Sequence, residues 1–275
     1  MDRQNMPRGR RMSEDVLKIA LPGAGGRMGQ MISSLIAQNH DMHLSAAAER
    51  NGSPWVGRAV GDIVISDDEA SLGIGPGGVI VDFTWPEATM ALLDIAVGSK
   101  TAMVIGTTGL SNAQEAKLAK AAQHIPIIYC ANTSVGVTLL SHLVRQVARQ
   151  LSDGWDIEIV EAHHNQKVDA PSGTALALGH AAADGRGVAL DDVRDSGRDG
   201  ITGIRKEGDI GFAVLRGGDV AGEHSVVFYG EQESLSLTHK ANSRTVFARG
   251  ALRAARFAAA QAVPGLFTMD DVLES

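Results

Sequence analysis

The sequence predicts an α/β protein: a Rossmann-like, doubly wound parallel sheet plus an inserted α+β domain with a mixed or antiparallel sheet used in oligomerisation. Three observations predict it. A short apolar strand over residues 16–21 runs into a glycine turn and then a helical pattern over 30–38, with Met31, Ile32, Leu35 and Ile36 on one side. Strand and helix patterns then alternate as far as Leu151, as a parallel sheet wound in both directions requires. Beyond Leu151 the pattern changes to short strands around one small-residue helix, before a long Ala-rich helix over 244–262.

The first turn reads Gly23-Ala24-Gly25-Gly26-Arg27-Met28-Gly29. A dinucleotide fingerprint usually sets its glycines where this chain has Gly23, Gly25 and Met28; here Gly23, Gly26 and Gly29 must serve instead. The physical demand is the same: backbone close to a pyrophosphate, N–H groups at a helix start, and a small residue where helix meets strand. A second strand over 43–48 ends in Glu49-Arg50. Glu49 lies about 20 residues past the turn, where a carboxylate receives ribose hydroxyls. Arg50 beside it suits a 2′-phosphate, so the pair predicts a site for NADH or NADPH.

Residues 79–84 form a buried strand, and Pro86 opens a helix to about 97 with Thr84 or Trp85 at its cap. Strand 102–105 leads to Gly106-Thr107-Thr108-Gly109, and Ser111 caps the following helix. After strand 125–129, Ala131-Asn132-Thr133-Ser134 opens a helix over 137–151. The Gly23 turn, Glu49, the Gly106 turn and Asn132 would all lie at the C-terminal ends of parallel strands, where ligands gather.

In the second half, strand 155–160 feeds a histidine-rich stretch, 174–183 is helical, and 184–209 reads as a long surface connection. Strands are expected at 211–215, 223–229 and 233–238, with Val226-Val227-Phe228-Tyr229 and Leu235-Ser236-Leu237-Thr238 as an inter-subunit face. The final long helix sets Val246, Ala251, Ala255 and Ala258 on one side, to pack back on the first domain. The expected division is therefore 16–134 with 243–275 for the dinucleotide and 135–242 for substrate and oligomerisation. Residues 1–15 read as a disordered polar extension.

Composition narrows the function classes. At 275 residues with 32 glycines the chain has ample core and many strand-to-helix turns. A net charge of −7 argues against a nucleic-acid surface, and no apolar run is long enough to span a bilayer. One cysteine, Cys130 in an apolar run, fits a buried small residue in a reducing, cytoplasmic setting.

The chemistry concentrates in Glu161-Ala162-His163-His164-Asn165-Gln166-Lys167-Val168-Asp169-Ala170-Pro171-Ser172-Gly173-Thr174-Ala175. His163, His164 and Lys167 crowd cationic groups just before a sharp turn into a helix. Imidazole, with an ordinary pKa of about 6.5, gives and accepts protons near neutrality. Lys167 suits a carboxylate, or donates a proton itself if burial lowers its pKa. In an extended chain His163 and His164 face opposite ways, so one of them faces the reacting atom. Gly173 and Thr174 offer helix N-terminal N–H groups and a hydroxyl to a substrate carboxylate. The stretch lacks the spacing of a zinc helix, so no metal is expected. Ser172, without a nucleophile-elbow context, reads as an N-cap.

The motif His163-His164-x-x-Lys167-x-Asp169-Ala170-Pro171-Ser172-Gly173-Thr174 closely resembles the signature of the dihydrodipicolinate reductase family. The glycine turn, Glu49-Arg50, Gly106-Thr107-Thr108-Gly109, Ala131-Asn132-Thr133-Ser134 and His239-Lys240-Ala241-x-Ser243-Arg244 resemble it too, in the same order. The resemblance implies NADPH- or NADH-dependent reduction of 4-hydroxy-tetrahydrodipicolinate, a small cyclic dicarboxylate, by a homotetramer in the diaminopimelate route to lysine. It implies His163 and Lys167 as proton donors, and His164, Lys167, Gly173 and Thr174 as substrate ligands. The cofactor would lie against Gly23, Gly26, Arg27, Met28, Gly29, Glu49, Arg50, Gly106, Thr107, Thr108, Ala131, Asn132 and Thr133. Two positions depart from the common pattern: Gln166 stands where many members have a further histidine, and Thr133 where many have phenylalanine.

Overall fold

The computed structural model describes residues 16–151 and 154–275; the extension expected at 1–15 lies outside them. The chain opens with β1 (Leu17–Pro22), α1 (Arg27–Ile36) and β2 (Met42–Ala48). A small hairpin of β3 (Ala59–Val60) and β4 (Ile63–Val64) follows as a separate antiparallel pair. Next come β5 (Gly78–Asp82), α2 (Pro86–Ser99), β6 (Ala102–Ile105), α3 (Asn112–Ala121), β7 (Pro126–Tyr129) and α4 (Val135–Gln150). Local chemistry sets the boundaries. Pro86 occupies the first turn of α2, where its missing N–H costs nothing. Ser111 and Gln114 close a reciprocal capping box on α3, and Ser134 accepts the Val137 N–H at the start of α4.

The second half contributes β8 (Asp156–His163), α5 (Gly173–Arg186), α6 (Leu190–Val193), β9 (Arg194–Asp195), β10 (Ile210–Arg216), β11 (Gly222–Gly230) and β12 (Glu233–Ala241). It closes with α7 (Thr245–Ala260), β13 (Gly265–Phe267) and α8 (Met269–Glu274). The stretch expected to be bare connection over 184–209 thus contains α6 and β9, and the C-terminus adds a strand and a helix that carry almost no periodicity of their own.

The first sheet has the order β13-β7-β6-β5-β1-β2 and is parallel at every pairing. Its central strands are buried on both faces, which is why Val79-Ile80-Val81 reads as an unbroken apolar run. Leu92, Leu93 and Leu118 of α2 and α3 cover one face against Ile80, Met103 and Ile127. On the other, α1 and α7 bury Ile32, Leu252 and the alanines Ala248, Ala251, Ala255 and Ala258 against Ile19, Val79 and Val104. Each large side chain buried there is worth about 1.5–3 kcal/mol, and the alanines let α7 lie close to the sheet.

The second sheet has the order β12-β11-β8-β10-β9. β10 runs parallel to β8 and β9, whereas β11 runs antiparallel to β8 and β12, so the sheet is mixed. One face packs on α4 and α5 through Leu140, Val144, Leu178, Ala182, Ile157, Ile159, Val226 and Phe228. Val226, Phe228 and Leu237 therefore belong to the lobe's own core rather than to an outward face. The opposite face carries Val160, Leu215, Val227 and Tyr229, because side chains alternate along a strand, and Arg198 and Arg205 lie across its Glu158 end.

Candidate functional site

The first half of the site is a cradle at the ends of β1, β2, β6 and β7. Gly23 adopts a left-handed φ of 63°, and a Cβ on Gly29 would stand 2.3 Å from the Gly23 carbonyl oxygen and 2.7 Å from Ala24 Cα. No residue but glycine lets α1 start this close to the turn. Gly26 caps α1 without any side-chain bond. A hollow of about 240 Å³ beside it is lined by Gly23, Gly26, Arg27, Met28, Gly29 and Phe83. Free first-turn N–H groups, an exposed arginine and three glycines that let backbone approach closely fit the pyrophosphate of a dinucleotide.

Glu49, at the end of β2, accepts a 2.9 Å bond from the Gly25 N–H, which pins its carboxylate against the turn. The Trp55 indole lies on Gly25, where a Cβ would come within 2.2 Å of the ring, and the Arg58 guanidinium sits 4.9 Å above the Trp55 ring. Glu49 and Arg50 share a shallow groove with Thr84 and Trp85. At the end of β6, the Phe83 ring occupies the space a side chain on Gly106 would need; Thr107 is buried and Thr108 exposed. The turn after β7 leaves Ala131 exposed and uses Asn132 Oδ1 to accept the Ser134 N–H at 2.8 Å. Thr133 points inward: its hydroxyl donates to the Phe247 carbonyl at 2.7 Å, and Gly250 of α7 packs against its backbone. Thr133 is 1% exposed, and both its hydroxyl and its carbonyl meet α7.

The second half is organised by a carboxylate that sequence reasoning passed over. Glu161, in β8, is 1% exposed. Its Oε2 lies 2.6 Å from His163 Nδ1, and Arg216 donates to both oxygens at 2.8 and 2.9 Å. The Ser172 N–H donates to Oε1 at 3.0 Å. Burial alone would raise the Glu161 pKa, but Arg216, His163 and the Ser172 N–H outweigh it and hold the carboxyl below its ordinary range. His224, directly opposite Glu161 in the β11–β8 register, packs edge-on to His163 with ring centroids 5.1 Å apart and meets the Ser172 hydroxyl at 3.0 Å. Burial pushes His224 down to about 4, so it is neutral at physiological pH.

The loop after β8 carries the remaining candidates. Lys167 pairs with Asp169 at 2.9 Å, and Asp169 is held below its ordinary pKa by that bond. Ser172 caps α5, and Gly173 and Thr174 form its first turn, with open space around Gly173. His163 and His164 diverge, as alternation requires: His163 turns to Glu161, and His164 Nε2 lies 2.9 Å from the Arg244 guanidinium at the start of α7. Burial and then the charge of Arg244 lower the His164 pKa. The two halves meet again where Asn132 Nδ2 donates to the Thr174 hydroxyl at 2.9 Å. The histidine stretch and the α5 N-terminus thus face the rim of the first sheet.

Fold and site together define a two-domain, Rossmann-type reductase scaffold, in which a glycine-turn cradle confronts a lobe bearing imidazole and ammonium groups beside a helix N-terminus. The family described as dihydrodipicolinate reductase, N-terminus, matches residues 17–133, and its C-terminal counterpart matches 136–273. The chain is 48% identical over 270 residues to the 4-hydroxy-tetrahydrodipicolinate reductase of Parvibaculum lavamentivorans, covering 95% of this chain and 99% of that protein. It is also 48% identical over 263 residues to the enzyme of the same name from Ruegeria sp. strain TM1040, covering 93% and 97%. A dipicolinate-bound dihydrodipicolinate reductase from Paenisporosarcina sp. TG-14 shares the fold, with a TM-score of 0.73 at 23% identity over 92% of this chain and 97% of that one. The chain belongs to the dihydrodipicolinate reductase family.

Proposed function

We propose that this protein reduces 4-hydroxy-tetrahydrodipicolinate to tetrahydrodipicolinate with NADPH or NADH, in the diaminopimelate route to lysine. One observation supports the reading: the Asn132–Thr174 bond ties the first turn of α5, next to the His163 to Lys167 stretch in sequence, to the strand-end rim that also carries the glycine turn. Gly23, Gly26, Arg27, Met28 and Gly29 hold the pyrophosphate; Glu49 and Arg50 take the adenosine ribose or its 2′-phosphate. Gly106, Thr107, Thr108, Ala131, Asn132 and Thr133 line the nicotinamide end. The nicotinamide supplies the hydride when bound.

The chain's own residues do the rest. The N–H groups of Gly173 and Thr174 and the Thr174 hydroxyl bind one substrate carboxylate, with Lys167 adding positive charge and the imidazole of His164 a further polar contact. His163 or Lys167 gives a proton to the substrate atom that becomes electron-rich as the double bond is reduced. Residues 16–134 with 243–275 act as the cofactor domain and 135–242 as the substrate domain. The outer face of the second sheet, where Leu215 is 58% and Tyr229 48% exposed, supports assembly into a homotetramer through that face. The enzyme works in the cytoplasm, a setting that suits a single half-buried cysteine.

The test is an initial-rate assay with enzymatically generated 4-hydroxy-tetrahydrodipicolinate and each reduced cofactor, followed by nicotinamide absorbance. Turnover with both is expected, and dipicolinate should raise the affinity for NADH through a ternary complex. Absence of turnover with either cofactor overturns the reading.

A further inference from the structure

We infer that Glu161 and Arg216 form a buried anchor that sets the protonation and aim of His163 and, through the same carboxylate, fixes the α5 N-terminus beside it. The inference rests on the reading of His163 as a proton donor and assigns two positioning residues that act through it.

The carboxylate has no freedom of its own. Arg216 grips both oxygens, His163 Nδ1 takes Oε2, the Ser172 N–H takes Oε1, and the group is 1% exposed. Arg216 also donates to the Asp169 carbonyl at 2.7 Å, which ties down the segment between Lys167 and Ser172. One ion pair therefore fixes the imidazole, the lysine loop and the start of the helix that offers N–H groups to a carboxylate. The sheet register makes this possible. Parallel pairing sets Arg216 beside His163 and Val214 beside Glu161, and antiparallel pairing sets His224 against Glu161 from the other side.

For His163 the consequence is a defined tautomer. A carboxylate accepts only, so Nδ1 carries a proton and Nε2 is the nitrogen that exchanges one. Gly222 keeps that nitrogen clear, since a Cβ there would stand 3.1 Å from Nε2. When Nε2 gives up its proton, the N–H bond breaks, the new bond forms on the substrate, and imidazolium becomes neutral imidazole with Nδ1–H still on Glu161. The titratable groups around His163 are Glu161, Arg216 and the neutral His224 within the sheet, and His164, Lys167 and Asp169 on the loop, where Asp169 pairs with Lys167. Glu161 is the carboxylate in direct contact with the imidazole.

The experiment compares E161Q, E161D and R216K with wild type, using kcat across pH, NADH affinity, and the ¹⁵N resonances of the His163 imidazole. In wild type Nδ1 should be protonated at every pH at which the protein is folded. E161Q should lower kcat about 30- to 100-fold with NADH affinity unchanged, and its kcat–pH profile should depart from wild type because the carboxylate beside the imidazole is gone. E161D, which keeps the charge and retracts it, should recover part of the rate, and R216K should fall between E161D and wild type. If E161Q does not fold, E161D and R216K are read in the same way. The inference is overturned if wild-type Nδ1 is unprotonated, or if the folded variants keep wild-type kcat and pH dependence. The ¹⁵N readout needs no turnover, so it tests the anchor even if the proposed substrate proves wrong.

Discussion

Asn132 Nδ2 and the Thr174 hydroxyl stand 2.9 Å apart, so a turn on the rim of the first sheet is tied directly to the first turn of α5 in the second lobe. A neutral hydrogen bond is worth about 1 kcal/mol net, enough to bias how two lobes meet but not to lock them. Thr174→Val keeps the shape and removes the hydroxyl from both Asn132 and the substrate carboxylate. It should raise KM for the dicarboxylate about 10-fold while NADH affinity stays within about twofold. Steady-state kinetics beside an NADH titration will read both.

The cradle depends on two glycines for different reasons. Gly29→Ala drives a Cβ into the Gly23 carbonyl and Ala24 Cα, which cannot move without opening the turn. NADH affinity should fall at least about 10-fold, measured by fluorescence titration. Gly250→Ala sets a Cβ 1.7 Å from the Thr133 carbonyl oxygen, so α7 must shift off the sheet. Overpacking of this kind costs about 1–3 kcal/mol, which urea unfolding will detect.

His224 makes stability depend on pH. Its folded pKa of about 4 lies below the ordinary 6.5, so between those values the unfolded chain binds a proton that the folded protein refuses. Stability should be flat from this source above about 6.5, fall as pH drops towards 4, and level off below, by about 3 kcal/mol in all. Glu161, lowered instead, loses its contribution only at more acid pH, as protonation overtakes its folded pKa. His239, also lowered by burial, gives a slope of the same sign in both proteins. His224→Gln, which keeps a partner for Ser172, should therefore show a shallower decline over this range in urea unfolding; an unchanged slope would show that His224 is not the source.

Much of this was legible in the sequence, for a physical reason. Buried parallel strands read as apolar runs, so β1, β2, β5, β6 and β7 declare themselves, as do Pro86 and Ser111 at their helix starts. β13 escapes notice because three residues carry no period, and only its place beside β7 makes it a strand. The glycine turn and the His163–Thr174 stretch were readable as local patterns. The Glu161–Arg216 pair was not, because the partners are 55 residues apart and meet only through the β8–β10 register. Arg244 and His164, 80 residues apart, meet only when α7 returns to the first sheet. A carboxylate two residues before a candidate histidine, on the same face of a strand, was the one available signal. The alternating strands β11 and β12 suggested an outward apolar face, yet packing on α4 and α5 turned Val226, Phe228 and Leu237 inward.

The central claim is that a hydride source held by the first sheet faces proton donors on the second lobe, and its most direct test separates chemistry from cofactor binding. His163→Asn and Lys167→Ala should each be assayed for turnover of enzymatically generated 4-hydroxy-tetrahydrodipicolinate and for NADH affinity by fluorescence titration. Removing a general acid costs about 10²- to 10⁴-fold, so a turnover loss of that order in at least one variant, with NADH affinity within about twofold of wild type in both, is the expected result. Wild-type turnover in both variants, or a parallel collapse of NADH binding, would contradict it.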